Sequence, residues 1–74
     1  MTDKFHTELK DLKKGVSDMA RFAFSMLQDS QGAFINQDEA LATTVMNRKE
    51  QLREITVTLE ETCYQLIALN QPMA

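Results

Sequence analysis

A chain of 74 residues holds one small domain at most, and a core of that size rarely supplies more than about 3–5 kcal/mol. Its single cysteine excludes an internal disulfide, and with only one histidine beside it there is no Cys/His zinc site, so stability must come from regular helix packing, oligomerisation or a larger parent protein. Two glycines and one proline are too few for the turns of a multi-stranded sheet, and a net charge of −3 argues against nucleic-acid binding.

The N-terminus, MTDKFHTELK, has no apolar signal region and no small-residue cleavage site. No apolar run reaches 18 residues, and even the stretch from Ala20 to Leu27 is interrupted by Arg21 and Ser25. These features predict a cytoplasmic protein without a transmembrane segment.

In the first half, Phe5, Leu9, Leu12, Val16, Met19, Ala23 and Met26 follow one another at spacings of 4, 3, 4, 3, 4 and 3. That is the heptad seam of a long helix. Thr2 or Asp3 is placed to cap its start, and Lys14 with Asp18 forms a surface pair one turn apart. A second seam runs from Leu41 through Val45, Arg48, Leu52, Ile55, Leu59, Thr62 and Leu66 to Leu69. On it Arg48 is expected to snorkel, packing its stem and keeping its charge wet, and Thr62 to bond a carbonyl one turn back.

Between the seams, Asn36 with Glu39 three residues on reads as a capping box. Gly32 is a possible helix end, yet Ala33 and Phe34 continue the first seam. The expected elements are a helix over about 3–35, a turn at 36–37 and a helix over about 38–69, stopped ahead of Pro72. The predicted fold is all-α, a single domain over 1–74 built as a long antiparallel helical hairpin.

A hairpin cannot bury everything on offer. Phe22, Phe24 and Leu27 widen the first apolar face, and Val57, Tyr64 and Ile67 form a separate stripe on the second helix. Faces that wide require a third helix or a second chain, so these six residues are the expected partner or oligomer interface, in a three- or four-helix bundle. Met19, Met26 and Met46 are expected as core filler.

The C-terminal run Leu59-Glu60-Glu61-Thr62-Cys63-Tyr64-Gln65-Leu66-Ile67-Ala68-Leu69-Asn70-Gln71-Pro72-Met73-Ala74 resembles the PhoU family of phosphate-uptake regulators. The shared features are Glu60-x-x-Cys63, Leu66-Ile67-Ala68 and Gln71-Pro72-x-Ala74 at fixed spacing. Upstream, Phe5-x-x-Glu8-Leu9-x-x-Leu12 is similar to the family's opening of helix one, and Asp38-x-x-Leu41-Ala42-x-x-Val45 to its opening of helix two. The resemblance covers almost all of this chain but about the first third of a typical member, and the third helix of the family repeat would follow Ala74. It implies a cytoplasmic regulator without catalytic chemistry, partnered by a phosphate-importing ABC transporter or a sensor kinase. It also implies a possible iron or other divalent metal held by carboxylates four residues apart, which stack on one helix face.

The sequence departs from that pattern where the family's acidic pair on helix two falls, at Lys49 and Arg53. Glu50 and Glu54 keep the four-residue spacing one position later and are the remaining candidate metal pair, although a solvated acidic face assisted by Arg53 explains them as well. No cofactor is otherwise expected. His6 reads as a surface residue and Cys63 as a small core residue, and Lys10, Lys13, Lys14 and Arg21 form the solvent face of helix one or a site for an acidic partner.

The leading function is therefore a PhoU-like regulatory module of phosphate transport and signalling that acts by helix-face association. Two alternatives stay open, a stand-alone or truncated helical-bundle module with no phosphate role and an iron-binding regulator. A small all-α enzyme, such as one resembling the helical chorismate mutases, needs several inward arginines, and only Arg48 lies on a seam.

Overall fold

The computed structural model describes residues 2–70, leaving Pro72 and the rest of the Gln-Pro-x-Ala motif outside it. Two helices make up the fold. α1 spans Thr2–Asn36 and α2 spans Glu39–Leu69, packed antiparallel in a rod of 57 × 17 × 16 Å. The helical periods of the two seams thus produce the all-α hairpin they imply. Asp3 sits inside the first turn of α1 rather than ahead of it. Lys14 pairs with Asp18 at 2.9 Å as its spacing predicts.

The turn is tighter than the capping-box reading implies. Asn36 is the last helical residue of α1, so it does not open α2. Instead the Gln37 N–H donates to the Phe34 carbonyl at 3.4 Å and the Asp38 N–H to the Ala33 carbonyl at 2.9 Å. This pairing is the Schellman arrangement, which satisfies the free carbonyls at a helix end. Asp38 then caps α2, its Oδ1 accepting the Leu41 N–H at 3.0 Å. One aspartate therefore closes the first helix with its backbone and opens the second with its side chain.

The Schellman geometry puts Gln37 at φ 52°, a left-handed conformation that favours glycine, whereas Gly32 lies within the helix and no glycine has positive φ. A Cβ at Gly32 would meet nothing within 4 Å. Exchanging the two preferences, Gly32→Ala with Gln37→Gly, should raise the unfolding free energy by about 1–2 kcal/mol. Urea unfolding followed by circular dichroism at fixed protein concentration checks this.

The line along which the helices meet follows the predicted seams with two shifts. Val16 is 42% exposed, and Gly15 takes the inward position. A strict seven-residue repeat drifts by about 20° per heptad on a straight helix, and glycine admits the close approach of α2. A Cβ at Gly15 would stand 2.8 Å from Leu59 Cδ2. Leu69, expected at the end of the second seam, is 78% exposed. Met46, expected as core filler, lies on the surface, whereas Met19 and Met26 are half-buried.

Arg48 does more than snorkel. It crosses to α1 and donates from Nη1 to Asp29 Oδ2 at 2.7 Å, an ion pair between helices with both side chains about one-third exposed. Thr56 makes the other polar crossing, to Met19 Sδ at 3.3 Å, while also bonding the Leu52 carbonyl. Thr62 bonds the Thr58 carbonyl one turn back, as its place on the seam predicts. At the far end, the Asn70 backbone N–H and side-chain Nδ2 both donate to the Leu66 carbonyl, closing α2.

Candidate association surface

Two helices side by side leave a groove on each side of their line of contact, and the sequence makes these grooves chemically different. On one side, near the turn, Ala33 and Phe34 of α1 and Ala42, Val45 and Met46 of α2 line an open groove of about 780 Å³. Toward the open end of the hairpin, Phe5, Leu9, Cys63 and Ile67 line its continuation. Along α2 the two are joined by the flank from Met46 through Arg53 to Val57 and Glu60. On the opposite side, Glu8 and Asp11 face Thr62 and Gln65, and Asp18 faces Glu54 and Thr58. One groove is apolar with interspersed charges. The other is acidic.

Five of the six predicted interface residues lie on the apolar side or its flanks. Leu27 is seven residues from Phe34 and shares its face, and Phe24 sits one turn from Leu27 farther round the helix. Ile67 lines the open end, with Val57 and the 70%-exposed Tyr64 on the same flank of α2. Phe22 departs from the set. It is half-buried and lines the acidic groove beside Gly15 and Ile55, because five residues of helix turn it far from Leu27. Phe34 and Met46 belong to the surface although the sequence reading did not place them there. The signal was available in their seven-residue relations to Leu27 and Arg53.

The candidate metal pair stands as its spacing requires, one turn apart on α2. Arg53 donates from Nε to both carboxylate oxygens of Glu50 at 3.1 Å and from Nη2 to Oε1, and this hydrogen bonding, with a smaller contribution from the guanidinium charge, lowers the Glu50 pKa. Among the described residues, no three His, Cys, Asp or Glu side chains converge as metal ligands. A cation at Glu50 would have to displace the guanidinium, so these donors do not fit a bound metal.

Asp18 is treated similarly: the hydrogen bond from Lys14, and then the Lys14 charge, lower its pKa, with Arg21 adding to the effect. Lys14 and Arg21 are thereby engaged within α1, whereas the exposed Lys10 and Lys13 have no carboxylate partner among the described residues. His6 is exposed against the Phe5 ring, and Cys63 is a half-buried free thiol in the apolar groove.

No helix among the described residues is long and apolar enough to cross a membrane. The family model of the PhoU domain matches residues 16–74. The phosphate-specific transport system accessory protein PhoU of Serratia marcescens is 32% identical over all 74 residues, which cover 30% of that relative. Its Escherichia coli K12 counterpart is 30% identical and the Pseudomonas aeruginosa homologue 26%, each covered to 31%. The chain thus spans less than one-third of the length of these curated relatives. No solved structure matches. With a family model covering most of its length, this helical hairpin belongs to the PhoU domain family.

Proposed function

We propose that the hairpin is a cytoplasmic PhoU-type regulatory module of phosphate transport and signalling, which works by binding another protein through its apolar face and performs no catalysis. One observation carries this reading. Among the described residues only Ala33 and Leu66 are buried hydrophobics, while ten large hydrophobic side chains remain exposed. A surface that apolar is a contact surface, because water-exposed patches of this size are otherwise selected against in monomers. The relatives' description as accessory proteins of phosphate-specific transport supports the phosphate role, with a phosphate ABC transporter or a sensor kinase as the class of partner. Neither His6 nor Cys63 sits in a constellation that activates a nucleophile.

The test is expression of this chain in a bacterium carrying a phosphate-starvation-inducible reporter. Wild-type chain should shift reporter output several-fold. Tyr64→Lys, which alters an exposed ring on the face without touching the helix contact, should keep helicity and lose at least half of the effect. A reporter that does not respond to the wild-type chain would sink the regulatory reading.

A further inference from the structure

The outer edge of α1, turned away from α2, carries a charge pattern that the apolar face leaves unused. At about 100° per residue, Lys10, Lys13, Lys14, Ser17, Arg21 and Phe24 fall within an arc of about 100°. That arc is centred opposite Leu12, Met19 and Met26, the line that meets α2, and all six residues are exposed. From Lys4 to Asn36 the arc holds no carboxylate. Glu8, Asp11 and Asp18 turn to the acidic groove, and Asp29 turns to Arg48. Asp18, at the margin, holds Lys14 at 2.9 Å and Arg21 at 3.7 Å, while Lys10 and Lys13 have no such partner among the described residues. The edge is therefore strongly basic in a chain whose net charge is −3.

We propose that this edge adsorbs to an anionic lipid surface, with the rod lying flat and the Phe24 ring entering the headgroup layer. Basic side chains along one helix face supply the attraction, and a neighbouring aromatic ring adds apolar burial at the headgroup boundary. Phe24 is 60% exposed and stands one turn beyond Arg21 on the same edge.

Area favours lipid over a protein partner. The strip from Lys10 to Phe24 is about 21 Å long and about 10 Å wide, or roughly 200 Å² on the convex side of one helix. A standard protein interface takes about 800 Å² from each partner. A fluid leaflet conforms to a convex ridge and needs only the charges. Seating a further helix on this edge would strip water from its bases, which is costly without a carboxylate for each, so the edge stays wet whatever fills the apolar groove.

The negative net charge does not oppose this orientation. Glu50 and Glu61 lie on the outer edge of α2, across a rod 17 Å thick through its Cα atoms. Charges at that depth are about two screening lengths from the lipid at physiological salt. The inference depends on neither the helix-face reading nor the phosphate role.

Co-sedimentation of the 74-residue chain with vesicles tests it, with helicity followed alongside. With phosphatidylglycerol and phosphatidylcholine in equal parts, the chain should partition at least about tenfold better than with phosphatidylcholine alone. Raising the salt from about 0.1 to about 1 M should erase the difference, because the screening length falls from about 10 to about 3 Å. Lys10→Gln and Lys13→Gln should each weaken binding to the mixed vesicles about fivefold, with helicity unchanged. Lys49→Gln removes the same charge from α2 and should weaken binding by about twofold or less. Phe24→Ser should lower affinity about fivefold while keeping the preference for anionic lipid.

Equal partitioning onto the two kinds of vesicle would overturn the proposal and leave the edge to an acidic protein. A loss for Lys49→Gln as large as that for Lys10→Gln would overturn it too, because the charge would not then be read from the outer edge of α1. An unaffected Phe24→Ser would overturn the flat orientation.

Discussion

Leu66→Ala should remove about 2–4 kcal/mol from the hairpin, most of what a domain of this size holds. Leu66 is 6% exposed and stands where α2 meets α1, lining the grooves on both sides together with Leu12. Truncation deletes three buried carbon atoms and opens a void that two long, straight helices cannot collapse around without losing their register. The expected result is a large fall in helicity at 25 °C and dilute concentration, read by circular dichroism. Leu69→Ala is the matched control. Its side chain is 78% exposed, so the same deletion three residues on should change stability by less than about 0.5 kcal/mol. Equal effects at the two positions would mean that the helices do not meet along this line.

Asp38→Ala should cost about 1–2 kcal/mol, a large share for an exposed residue. The side chain satisfies the Leu41 N–H at the start of α2, and its negative charge faces the positive end of that helix. The Schellman bond from its backbone N–H to Ala33 survives the substitution, so α1 should keep its end while α2 frays. Hydrogen exchange distinguishes the ends: protection should fall at Leu41, Ala42 and the next turn of α2, and persist at residues 33–38. Asp38→Asn should recover most of the loss, because the amide oxygen accepts the same bond. Uniform loss of protection on both sides of the turn would show that the cap is not the local device described here.

Surface charge contributes on a smaller scale. The carboxyls of Asp18 and Glu50 have pKa values lowered by Lys14 and Arg53, so their pairs are complete above the ordinary carboxylate range and are lost as the pH falls through the lowered values. Both carboxyls are open to water, which screens the benefit. Acid sensitivity of this hairpin should therefore be shallow.

The exposed apolar face proposed for association is partly legible in the sequence. Leu27, Val57, Tyr64 and Ile67 were separable from the seams by spacing alone, because side chains that miss the inward line of a helix must point elsewhere. Phe22 was misplaced for the converse reason. Spacing gives an angle around one helix, but which side of a hairpin that angle faces depends on how the second helix lies beside it. Phe22 and Leu27 flank the same seam and end in opposite grooves.

Local chemistry in the sequence was enough to determine two long helices and their antiparallel pairing, since hydrophobic period and the scarcity of glycine and proline act over one or two turns. Tertiary structure alone decided that Gly15 rather than Val16 faces α2 and that Arg48 reaches Asp29. Each of these depends on the register between helices, a relation among residues far apart in the chain that no local period contains.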